Sequence, residues 1–166
     1  MITCFDIANF FGQKLYDSQF AIFLSNNFNN LTRYDIIDSD FISSEGNGIE
    51  FGFTNNTAII DRNENILLKE GIPIFTHFNV FEISEKTVML PFNLSFADKR
   101  RIVLHKMGTP YNTNNRDKLS KKYNYVEDIY VEDKIIIIFN YNKLKQAIRH
   151  IGFLDFATYK HLLLKP

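Results

Sequence analysis

A single cysteine, Cys4, leaves the chain no partner for an intrachain disulfide, and its neighbours Phe5 and Ile7 suit a thiol that packs as a small hydrophobe. Such cysteine usage points to a reducing compartment. Tryptophan is absent, and there are only 7 glycines and 4 prolines in 166 residues. Scarce glycine gives little material for a phosphate-cradling loop, and neither a dinucleotide fingerprint nor a Ser or Cys nucleophile motif occurs. The four histidines (His77, His105, His150, His161) have no ligand spacing, and a lone cysteine cannot complete a zinc site. No metal, cofactor or small-molecule ligand is therefore expected. No apolar run approaches the roughly 20 residues that span a bilayer as a helix, and the start at Met1 lacks a basic leader segment. The expectation is a cytoplasmic protein without a membrane partner.

What the chain has in quantity is core material: 45% hydrophobic residues, including 17 Phe. A chain of this length buries about two-thirds of its unfolded surface, so it folds without disulfide or metal staples. One compact domain, 1–166, is expected.

Net charge is zero but unevenly spread. Residues 1–85 carry 4 Lys/Arg against 12 Asp/Glu, a net of −8, and residues 86–166 carry 15 against 7, a net of +8. Two fields of opposite sign result, and attraction between the halves is the ordinary explanation.

Local signals alternate helix with strands. Asp17 can cap a helix whose apolar side is Phe20, Phe23, Leu24 and Phe28, fraying over 26–30. Strands follow at 36–42 and 48–53 around the turn 43–48, then at 57–60, 66–68 and 74–83. The second half repeats the order. Asp98 is placed to cap a helix through Ile102, Val103 and Met107 that stops at Gly108, with Pro110 beyond. Strands are expected at 123–131, 134–141 and 146–153, and Asp155 can cap a short helix reaching Leu164. Ile135–Phe139 is apolar on both faces and so reads as a central strand.

Phe11 to Asp17 matches Phe92 to Asp98 in placing Phe, a large apolar residue and Asp at the same offsets before a helix, and Ile49–Phe53 lies opposite Ile135–Phe139. These matches suggest a weak internal duplication with halves 1–85 and 86–166. The fold class expected is α+β: two weakly similar helix-plus-antiparallel-strand units, giving a mostly antiparallel sheet with helices on one face.

The run Met89-Leu-Pro-Phe-Asn-Leu-Ser-Phe-Ala-Asp98, the helix ending at Lys106-Met-Gly-Thr-Pro110, the tyrosine strand Asp128-Ile-Tyr130 and the strand Ile135–Tyr141 resemble bacterial immunity proteins of polymorphic or contact-dependent growth inhibition toxin systems. Asn93 stands where that pattern has glycine, and Met107 where it has leucine. The resemblance covers about residues 88–153. It implies a tandem helix-plus-strands architecture similar to the β-lactamase-inhibitor protein, and inhibition of a cognate protein toxin domain. It assigns no binding residue.

Constellations that could carry chemistry are few. Glu132-Asp133-Lys134, with Asp117 or Asp128 upstream, loosely resembles a metal-dependent nuclease triplet, but it falls where a hairpin needs its turn. Asp38 and Asp40 lack the following ligands of a calcium loop. Lys99-Arg100-Arg101 and Lys121-Lys122-Tyr123 with Tyr125 offer a basic, aromatic-interleaved surface for nucleic acid, although the acidic half would repel the same polyanion. Tyr34, Asp35, Asp38, Asp40, Phe41, Glu45 and Glu50 form an acidic, aromatic stretch. It reads either as an edge guarded against aggregation or as a partner-binding patch for a basic nuclease-type toxin. The expectation is a non-enzymatic inhibitor, with a nucleic-acid-binding module using the basic second half as the alternative and a metal-dependent nuclease after it.

Overall fold

The structure is a computed structural model and describes residues 1–37, 40–61, 63–115, 125–142 and 146–164. In chain order the strands are Ile2–Thr3 (β1), Phe41–Ser44 (β2), Ile49–Thr54 (β3), Ile59–Asp61 (β4), Ile66–Lys69 (β5), Ile74–Phe81 (β6), Val88–Met89 (β7), Asn112–Asn115 (β8), Tyr125–Glu132 (β9), Ile135–Asn142 (β10) and Ile148–Asp155 (β11). The helices are Cys4–Ala8 (α1), Ser18–Asn27 (α2), Arg100–Met107 (α3) and Phe156–Tyr159 (α4). The protein is α+β. Seven strands form one antiparallel sheet in the order β2-β3-β6-β11-β10-β9-β8, while β1 pairs in parallel with β7 and β4 pairs with β5 as a separate ribbon.

Strands from residues 1–85 stay together on one side of the sheet and those from 86–166 on the other. They meet at β6 and β11, where Phe78 lies directly opposite Phe153. The two rings stack at 4.6 Å and 7°, both fully buried. Strand alternation sends Ile49, Phe51, Phe53, Phe78, Val80, Ile137, Phe139, Ile151 and Phe153 to one face, where they form a continuous core. β10 lies between β11 and β9, the central place its two apolar faces predict.

Helix α2 forms because the Asp17 carboxylate accepts the Gln19 N–H at 3.0 Å and Phe20 and Leu24 recur one turn apart. Phe20 then stacks on Phe75 at 4.7 Å, fastening the helix to β6. Helix α1 starts with a capping box between Thr3 and Asp6. In α3 the expected cap is corrected: Lys99 occupies that position and supplies no side-chain hydrogen bond. Asp98 instead accepts the Ser95 N–H at 3.1 Å and the Lys106 ammonium at 3.3 Å, so its carboxylate is committed to the preceding turn.

Local chemistry also moves several strand ends. The Asp35 carboxylate accepts the Ile37 N–H at 2.9 Å, a turn that holds 35–37 out of the sheet until Phe41. Residues 82–86 turn into a 3-10 helix and leave Ile83 half exposed. Residues 123 and 124 of the strand expected at 123–131 lie outside the described residues.

Candidate functional site

Two aspartate environments define what the molecule can do. The first is structural. Asp128 on β9 faces the core, is fully buried, and is clasped by Arg100 through Nε at 2.7 Å and Nη2 at 2.8 Å. The Thr113 hydroxyl donates a third bond at 2.7 Å. Bidentate geometry and a third donor compensate the carboxylate for lost water. Two residues on, Tyr130 donates to the Gly108 carbonyl at 3.3 Å, fixing the end of α3, and burial pushes its phenol up to about 12. Lys106 completes the clamp by donating to the Asn93 carbonyl at 2.6 Å. Asn93 has φ of 52°, the left-handed region that glycine or asparagine enters most cheaply. The motif residues at 89–110 and 128–130 thus hold α3 on the sheet.

The second environment is open. Phe53 and Asn55 at the end of β3, Tyr34 and Asp40 in the segment before β2, Phe41 on β2, and Ile60 of the β4-β5 ribbon line a groove of about 840 Å³. The Tyr34 ring meets Phe53 edge-on at 5.4 Å, so the wall is anchored to the core. Burial raises the Tyr34 phenol, the Asn55 side chain pulls it the other way, and the charges of Asp40, Tyr16 and Asp35 add to the rise. The Tyr34 hydroxyl and the Asn55 Oδ1 are both buried atoms, the latter packed against Gly71. Asp40 is exposed, and the two ion pairs among the described residues, Arg100–Asp128 and Lys106–Asp98, do not involve it.

Behind the groove, the His77 ring lies over Gly52 so closely that a Cβ there would sit 2.0 Å from Nε2. Tyr159 of α4 reaches His77 Nδ1 at 2.9 Å, and Thr76 Oγ1 lies 3.3 Å from each of them. Burial lowers the His77 pKa, while Asp40 works against it. This contact ties the last helix to β6.

Of the expected partner-binding residues, the groove gathers Tyr34, Asp40 and Phe41, with Asp35 exposed on the approach. Glu50 is elsewhere, on β3 beside Asn79, whose Nδ2 donates to it at 3.5 Å. Glu45 belongs to a 3-10 turn after β2, and Asp38 lies outside the described residues. The nuclease-like triplet is split across the β9-β10 turn, with Asp133 at φ of 50° and Asp128 turned into the core. Asp117 lies outside the described residues, as do Lys121, Lys122 and Tyr123. Among the described residues no three His, Cys, Asp or Glu side chains converge on a metal position. No helix there is long and apolar enough to cross a membrane.

The strands expected at 57–60 and 66–68 are present as β4 and β5, but sequence reasoning did not foresee that they pair as a separate ribbon with exposed aliphatic side chains. Ile59, Ile66 and Leu68 are 54%, 46% and 66% exposed, and Ile72 just beyond is 52% exposed. The signal was present as aliphatic residues in both strands, but their exposure depends on the absence of a third strand.

No family model and no curated protein matches the chain. Among solved structures it is similar to an extracellular protein containing a SCP domain from Bacillus anthracis strain Ames, with a TM-score of 0.47 and 12% identity. That likeness covers 93% of this chain and 47% of the other, so the chain spans about half that protein's length.

Proposed function

We propose that this chain is an immunity-type inhibitor, a cytoplasmic protein without catalysis of its own that binds a cognate toxin domain stoichiometrically and covers a basic surface such as a nuclease groove. The observation that carries the reading is the open groove, whose lining brings the exposed Asp40 together with Tyr34 and Phe41. An exposed carboxylate beside aromatic rings suits rapid capture of a basic partner followed by desolvated contact. The resemblance of residues 89–110 and 128–141 supports the class.

Co-expression with the toxin domain encoded beside its gene tests the proposal. The expected result is survival together with a one-to-one complex on gel filtration. Cell death despite a folded, soluble chain would sink the inhibitor reading.

A nucleic-acid-binding module is the second reading, favoured by Lys99, Arg101 and His105, which are exposed along α3. Arg100 is unavailable to it, being clasped to Asp128. Titration with labelled duplex and single-stranded nucleic acid at low and moderate salt separates the two, because phosphate contacts give a steep salt dependence.

A further inference from the structure

The β4-β5 ribbon is aliphatic on both sides. Ile60 pairs with Leu67, and Ile60 lines the groove, while alternation turns Ile66 and Leu68 to the opposite side. A two-stranded ribbon is marginal by itself and gains by burying a face. This one buries part of one face and leaves Ile59, Ile66 and Leu68 about half or more exposed. Beside it the groove offers an exposed acceptor, the Asp40 carboxylate, outside any ion pair among the described residues. An exposed carboxylate calls for a cation, and the neighbouring Tyr34 and Phe41 rings suit a planar one.

We infer that the groove receives an arginine side chain from another protein, inserted between Tyr34 and Asp40, and that aliphatic residues adjacent to that arginine cover the β4-β5 ribbon. A guanidinium presents a planar fork of N–H donors that can pair with the Asp40 carboxylate in bidentate fashion while its face stacks on a ring, whereas an ammonium cannot stack on the rings. The segment presenting it joins a cationic side chain to aliphatic neighbours. This assignment deepens the protein-binding reading above and rests on it for the identity of the natural partner.

The test uses the full chain and a capped pentapeptide of sequence Leu-Ile-Arg-Ile-Leu, with analogues carrying Lys, citrulline or Glu in place of Arg. Backbone amide shifts followed by NMR are expected to move at 34–41 and 53–68. Affinity is expected in the range of about 1 mM and should weaken several-fold at high salt. Citrulline, which is neutral, should cost about tenfold, Lys less, and Glu should abolish binding. In the protein, Asp40→Asn should weaken binding about as much as citrulline does, and Leu68→Ser a few-fold. Both positions are exposed, so unaltered amide spectra elsewhere show that the variants fold.

Equal binding of the Glu peptide, shifts centred on residues 86–166, or no shift at several times the stated concentration would overturn the inference. So would a dimer that Leu68→Ser dissociates, since a second copy would then cover the ribbon. Protection of cells that survives Asp40→Asn and Leu68→Ser unchanged overturns the inference and spares the inhibitor reading. Groove binding without protection does the reverse.

Discussion

Asp128 and Asp40 stand in opposite surroundings. Asp128 is fully buried on the core face of β9, with Arg100 and Thr113 supplying three donors. Asp40 is exposed at the mouth of a groove, beside Tyr34 and Phe41, and the ion pairs of the described residues leave it out. The contrast extends to the halves that carry them. Both of those ion pairs lie within residues 86–166, the basic half. A net of −8 in one half and +8 in the other therefore does not translate into a described ion pair across the sheet. The halves are joined by the β6-β11 pairing with Phe78 stacked on Phe153, and by the contact of the Tyr159 hydroxyl with His77. Attraction between the two halves acts through their summed fields and needs no specific ion pair.

The largest effect is expected at the seam. Phe153→Ala removes a ring with no exposed surface and opens a cavity between the halves, at a cost of about 3–5 kcal/mol. Urea unfolding followed by circular dichroism measures it. Because the core is continuous across β6 and β11, both halves should lose structure in one transition. Two separate transitions would break the picture of one sheet with a shared core.

Next comes the clasp. Arg100→Ala leaves the Asp128 carboxylate buried with Thr113 still donating but without its cationic partner, an uncompensated charge that costs about 3 kcal/mol. Double substitution of Arg100 and Asp128 by apolar residues of similar size should recover most of that loss, because the penalty belongs to the abandoned charge rather than to the pair. Failure to recover would mean that the clasp also orients α3, whose far end Tyr130 holds.

Much of the fold is legible in the sequence where pattern and local chemistry agree. Asp17, Phe20 and Leu24 specify α2 by cap and period, and the Ile135–Phe139 run specifies a central strand because only a strand covered on both faces tolerates it. Elsewhere one of the two signals is missing. β8 is Asn-Thr-Asn-Asn and has no apolar period; it joins the sheet through its register with β9 and the Thr113 bond to Asp128. Asp98 has the right residue type for a helix cap, but Lys106 and the Ser95 amide compete for it successfully. At the candidate site, Tyr34, Asp40 and Phe41 could be named from an acidic, aromatic stretch. Glu50 could not be separated from them, since its removal to the Asn79 side follows from strand alternation in a register the sequence does not state.

A pH-dependent effect distinguishes the open face of the sheet from the charged surfaces. His150 packs against Phe81 at 5.7 Å, and burial, helped by Arg149, lowers its pKa to about 4. The unfolded chain takes up this proton near pH 6.5 and the folded chain only near pH 4. Stability from His150 is therefore fully present above about 6.5 and is lost as pH falls toward 4, with a slope of at most about 1.4 kcal/mol per pH unit. His150→Phe should flatten that part of the profile, read from urea midpoints between pH 7 and 4. An unchanged slope would mean that other groups carry the acid sensitivity.

The smallest effect on stability and the most selective effect on function are expected together at Asp40. Asp40→Asn removes charge from an exposed site with no described ion pair, so the unfolding midpoint should stay where it is. Capture of a basic partner should slow, and the loss should shrink as salt rises, because steering acts through a field that ions screen. Stopped-flow association at low and moderate salt measures this directly. The corresponding change at Asp128 should do the opposite, lowering stability while leaving the association rate of the folded fraction intact. If Asp40→Asn instead destabilised the chain and left association untouched, the groove carboxylate would be a structural group like Asp128, and the distinction between the two environments would collapse.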